Sequence, residues 1–159
     1  MNPYVRFSLM IVTSTALMLL LMYFNTYALN HVFWSETRFY MALYMGAVMT
    51  VVMLAFMLKN YPDKAVNLAI FVGSTVVFAI ALFLVRSQTT VQDISWMKAM
   101  IPHHSIAILT SERAEISDPR VRKLADDIIK AQRLEIDEMK ALIVDLEGGL
   151  TATPEIDGK

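Results

Sequence analysis

The stretch FYMALYMGAVMTVVMLAFML, Phe39–Leu58, decides the fold, because it runs for twenty residues without a charge. As a helix rising 1.5 Å per residue it spans about 30 Å, the thickness of a bilayer's hydrocarbon core. Two further uncharged apolar runs flank it, Phe7–Phe24 before and Ala65–Val85 after. Each is long enough to cross on its own, so the sequence predicts three transmembrane helices within residues 1–86. The first run exceeds the ~7–15 apolar residues of a cleaved signal peptide. Thr26-Tyr27-Ala28 is also a poor small-x-small cleavage site.

Composition agrees with a membrane protein. Of 159 residues, 56% are hydrophobic and only 18% charged, where soluble domains carry about 25% charge. A net charge of −1 leaves no electrostatic basis for nucleic-acid binding. There is no cysteine, which excludes disulfides and thiolate metal sites. Any soft-metal site must therefore be built from Met and His.

Lys and Arg near the helix ends set the expected orientation. Arg6, Lys59 and Lys64 share one side with the amino terminus, and Arg38 and Arg86 lie on the other. This modest bias places the N-terminus in the cytoplasm of an inner-membrane, multi-pass protein. The Asn25–Arg38 loop and the C-terminal half are then extracytoplasmic. Within the central span, Met41, Met45, Met49, Met53 and Met57 recur at i+4 and so share a helix face. A thioether ladder for a soft ion and adaptable apolar packing both fit this row. Packing is favoured, since intramembrane ligands usually bring polar partners.

The C-terminal half reads as a helical hairpin. Thr90 with Asp93 resembles a capping box and opens a helix running to about Ser117. Asp118-Pro119 restarts it, with Asp as N-cap and Pro at the first helical position. The second helix continues to about Glu147, where Gly148-Gly149 stops it. Residues 150–159 are expected to be disordered. The domains expected are thus 1–86 in the membrane, 87–149 as the hairpin, and 150–159 as a tail.

At 100° per residue, Val121, Leu124, Ala125, Ile128, Ile136, Met139, Leu142, Ile143 and Leu146 fall on one side of the second helix. Gln132 and Glu135 interrupt that stripe. A core-facing carboxylate is costly unless paired or metal-bound, and the alternative is an edge position that reaches solvent. The first helix gathers Met97, Met100, Ile101 and His104 on its inward face, with His103 on the flank. Aligned about the turn, His104 stands level with Gln132, Met100 with Glu135 and Ile136, and Met97 with Met139. The candidate metal ligands are therefore His103, His104, Met100, Met97, Glu135 and Met139. Thioethers with imidazole suit Cu(I), and imidazole with carboxylate suits Cu(II), Zn or Fe. Pro102 between the two groups removes a backbone donor and is expected to kink the helix.

Met100-Ile-Pro-His-His104, Ala107-Ile108, Asp118-Pro119, Leu124-Ala125, Ile128-Ile129, Ala131-Gln132 and Glu135-Ile136 leading to Met139 occur in that order. This series resembles the domain-of-unknown-function family 305 over about residues 93–147. The resemblance implies a ferritin-like helical bundle, often exported, with some members implicated in copper binding through His and Met. It also implies that His103, His104, Met100, Glu135 and Met139 are the positions to watch. Here one hairpin, rather than a longer bundle, is fused to three membrane spans.

Two helices bury little, and four are the common solution. The expected fold is therefore all-α, with three transmembrane helices and an extramembrane antiparallel hairpin completing a four-helix bundle by homodimerisation. The favoured function is a membrane-anchored copper-binding protein acting in sequestration or handover. The alternative is an assembly or regulatory module in which His and Met serve as packing. A di-metal oxidase is disfavoured, because no Glu stands three residues before either His103 or His104. No nucleophile–base pair, phosphate loop or haem motif appears, so no enzyme is expected.

Overall fold

The structure is a computed structural model and describes residues 2–148. The Gly149 half of the expected stop signal and the expected tail at 150–159 lie outside the described residues. Within them the protein is all-α, with α1 at Pro3–Leu21, α2 at Glu36–Phe56, α3 at Lys64–Ser87, α4 at Asp93–Arg113 and α5 at Pro119–Leu146. Helices α1, α2 and α3 are long and apolar enough to cross a membrane. The described residues form two compact units, one of residues 2–24 and 35–91, the other of residues 25–34 and 92–148.

In the membrane unit α2 is the central helix, packing against both α1 and α3. Its buried face is written at i+4 as Arg38, Ala42, Gly46, Thr50 and Leu54. Small side chains at 42, 46 and 50 let backbones approach, which is how helices associate where water supplies no hydrophobic drive. At Gly46 a Cβ would lie 2.3 Å from Thr15 Oγ1, so only glycine fits opposite α1. Thr50 Oγ1 donates to the Gly46 carbonyl at 2.8 Å, which satisfies its hydroxyl within the helix. Beyond Leu54, Phe7 and Tyr61 close a small core with ring centroids 5.3 Å apart. The methionine row is half-buried beside the small-residue face, and Met53 and Met57 pack on that core. Arg38 donates from Nη1 to the Met22 carbonyl at 2.6 Å, and its guanidinium lies over the Tyr23 ring at 4.5 Å.

In the second unit α4 and α5 run antiparallel. Glu112, near the end of α4, pairs with Arg133 midway along α5, and Lys98 near the start of α4 pairs with Glu147 just past the end of α5. As read from Asp118-Pro119, the Asp118 carboxylate accepts the Arg120 N–H at 2.8 Å and caps α5. The start of α4 differs from the expectation. Its N-cap is Gln92, without a side-chain hydrogen bond, and the Thr90–Asp93 capping box does not form. The Thr90 hydroxyl is instead engaged with Tyr40 Oη at 3.0 Å. Helix α4 ends at Arg113, short of Ser117, and it continues unbroken through a buried Pro102. Its core holds Met97, Ile101 and Ile108 against Ile136, Met139 and Ile143 of α5.

The expected stripe on α5 is only half used. Ala125, Ile136, Met139 and Ile143 are buried, while Val121, Leu124, Leu142 and Leu146 are between 45% and 59% exposed. One partner helix covers only a narrow seam, so the remainder of a wide apolar face stays open. The segment 25–34 also packs on this unit. Phe33 joins the core, and a short 3-10 turn at Leu29–His31 touches α4.

Candidate metal centre

The candidate is built around His104. Its Nδ1 lies 3.0 Å from the Met100 carbonyl one turn back on α4, and its Nε2 lies 2.7 Å from Glu135 Oε2 on α5. A backbone carbonyl on Nδ1 fixes the ring so that Nε2 is the outward-facing nitrogen, the arrangement that orients metal-ligating histidines. Gln132 Nε2 donates to the same Glu135 Oε2 at 3.2 Å. Glu135 thus sits at the edge of the hairpin with its side chain 50% exposed, not on the core face. The α5 side chain that His104 Nε2 meets is thus Glu135.

The thioethers lie deeper. Met97 and Met139 are buried together in the α4–α5 core, and Met100 is half-buried against it. His103 is exposed, with its ring centroid 6.1 Å from that of His104. Of the six expected ligands, the structure brings His104 onto Glu135 and gathers Met97, Met100 and Met139 in one cluster. His103 stays on the outer flank. Among the described residues no three His, Asp or Glu side chains converge on one point. The donors this hairpin offers are one imidazole paired with one carboxylate, and thioethers in its core, residue types suited to a soft or borderline ion.

The family model described as Domain of unknown function (DUF305) matches residues 84–149. Uncharacterized protein L153 of Acanthamoeba polyphaga mimivirus is 34% identical over 107 residues, which cover 66% of this chain and 68% of that protein. The chain belongs to the DUF305 family. No solved structure matches it. The 107 aligned residues exceed the DUF305 match in length, so the likeness to the viral protein reaches beyond the hairpin.

One functional candidate lies outside the DUF305 match. His31, in the loop between α1 and α2, places Nδ1 3.0 Å from Ser105 Oγ, the residue after His104. The same Oγ accepts the Tyr27 N–H at 2.7 Å, and Ser105 is fully buried. Burial, and then the charge of Lys140, hold the His31 imidazole below its ordinary pKa, partly offset by Asp137. Hairpin periodicity could not reveal this residue. A hint was present in Tyr27, Leu29, Val32, Phe33 and Trp34, more apolar side chains than a solvated connection needs.

Proposed function

We propose that this DUF305 protein is a membrane-anchored, non-catalytic metal-binding protein. It takes copper, chiefly Cu(I), on the extracytoplasmic side for sequestration or handover. The observation that supports it is His104, with Nδ1 tied to the Met100 carbonyl, on a hairpin whose core includes Met97 and Met139 and has Met100 packed against it. Met100 and His104 supply the outer ligands, Met97 and Met139 the inner ones, and Glu135 and His103 the exchange positions at the rim. A buried thioether cluster favours the softer oxidation state. The test is competition for Cu(I) against a chromophoric chelator. Met→Leu changes conserve volume and cost less than about 1.5 kcal/mol of stability. Met97→Leu, Met100→Leu and Met139→Leu are each expected to weaken Cu(I) binding at least tenfold while helicity is retained. Unchanged binding in all three sinks the thioether role.

A second reading, assembly without metal, draws support from two features. The His104–Glu135 pair satisfies itself, and α5 exposes Val121, Leu124, Leu142 and Leu146. The two readings share a homodimer, in which the open α5 faces of two hairpins pack into a four-helix bundle.

A further inference from the structure

A second histidine in the hairpin unit is presented as His104 is. His31 Nδ1 is held by Ser105 Oγ, which leaves Nε2 as the ring nitrogen facing away from α4. His31 lines a cavity of about 300 Å³ with Tyr27, Asn30, Ile108, Arg133 and Asp137. Asp137 and Glu135 lie two residues apart on α5, about 200° around the helix. His104 thus meets Glu135 on one side of Ile136, and His31 shares a cavity with Asp137 on the other.

We infer that His31 Nε2 and the Asp137 carboxylate form a second metal site, taking a borderline divalent ion, Cu(II) or Zn(II). Imidazole with oxygen donors is the ligand set such ions accept. Asn30 and Tyr27 line the same cavity, and its volume admits several waters to complete the shell. Ser105 performs the outer-shell task of orienting the ring, since its Oγ can accept Nδ1–H together with the Tyr27 N–H. Arg133 also lines the cavity, but Glu112 already neutralises it. Lys140 is the opposing charge: it disfavours a proton on His31 and disfavours a metal ion for the same reason. The site uses no thioether, so it stands whether or not the His104 cluster binds copper.

The experiment is calorimetric titration of the full-length protein in detergent with Cu(II) and with Zn(II). It is run on wild type, His31→Ala, Asp137→Asn, Lys140→Gln and His104→Ala, with helicity checked for each. Asp137 is exposed, so Asp137→Asn guards against loss of fold at His31. Expected is a divalent-ion equivalent weakened at least tenfold in His31→Ala and in Asp137→Asn. It is retained in His104→Ala and tightened several-fold in Lys140→Gln. An equivalent that survives both His31→Ala and Asp137→Asn, or one lost only in His104→Ala, overturns the site. Cu(I) competition on the same His31→Ala protein separates this result from failure of the thioether cluster.

Discussion

His31 gives the sharpest consequence of a single side chain. Burial, reinforced by Lys140, lowers its pKa in the folded state from the ordinary 6.5. The sign follows from linkage: when the folded pKa is depressed, the unfolded chain takes up the proton first as pH falls. The neutral-ring contribution is complete above pH 6.5 and declines as pH drops through that value toward the lower folded pKa. Thermal melts of the metal-free protein followed by circular dichroism should show the hairpin unit losing stability from about pH 7 to pH 5. His31→Asn, which does not titrate, should flatten that slope. A slope unchanged by the substitution removes His31 from the account. At this scale the sequence was partly legible. The cluster at Met97–His104 was visible as composition, and Met97, Met100 and Met139 do share a core. Counting from the turn sets His104 level with Gln132, whereas its Nε2 meets Glu135, because register between two helices is set by side-chain packing and not by counting. His31 was invisible as a site, since what defines it is Ser105, seventy-four positions away.

At the scale of elements, local rules served well where the causes are local. Three spans follow from length and lack of charge, and the start of α5 follows from Asp118-Pro119, because a cap is satisfied within one turn. The Thr90 cap failed for the opposite reason: its hydroxyl found Tyr40, fifty residues away in sequence, which no local rule anticipates. Helix α2 shows what a small-residue face does. Gly46→Ala would place a methyl group 2.3 Å from Thr15 Oγ1, and Thr15 is β-branched, with little freedom to move aside. Gly46→Ala is expected to lower the unfolding midpoint in mixed detergent micelles by the equivalent of about 1–3 kcal/mol, the usual cost of overpacking. Thr15→Ala should restore most of that loss in the double variant. If Gly46→Ala is silent alone, α1 does not approach α2 as described.

At the scale of the whole molecule, the chain passes from α1 through a loop that belongs to the hairpin unit and back into α2. A prediction from spans alone treats such a loop as a connection. Here Phe33 enters the hairpin core and Tyr27 and His31 anchor on Ser105, so the DUF305 match omits part of the unit it defines. The unused half of the α5 stripe belongs to this scale as well. Light scattering of the solubilised protein is expected to give a dimer. Leu124→Glu with Leu142→Glu should convert it to a monomer with helicity intact, and a monomeric wild type contradicts the shared-bundle proposal.

If the His104 cluster binds soft metal, thermal unfolding of the full-length protein in detergent registers the binding as a gain in stability. Melts would be run with Cu(I), Cu(II), Zn(II) and chelator, beside a His103→Ala/His104→Ala variant. A ligand at a hundred times its Kd stabilises by about 2.7 kcal/mol. The expected result is a rise of roughly 10–20 °C for a unit of this size, largest with Cu(I), reversed by chelator and absent from the variant. No rise with Cu(I), or an equal rise in the variant, would contradict it.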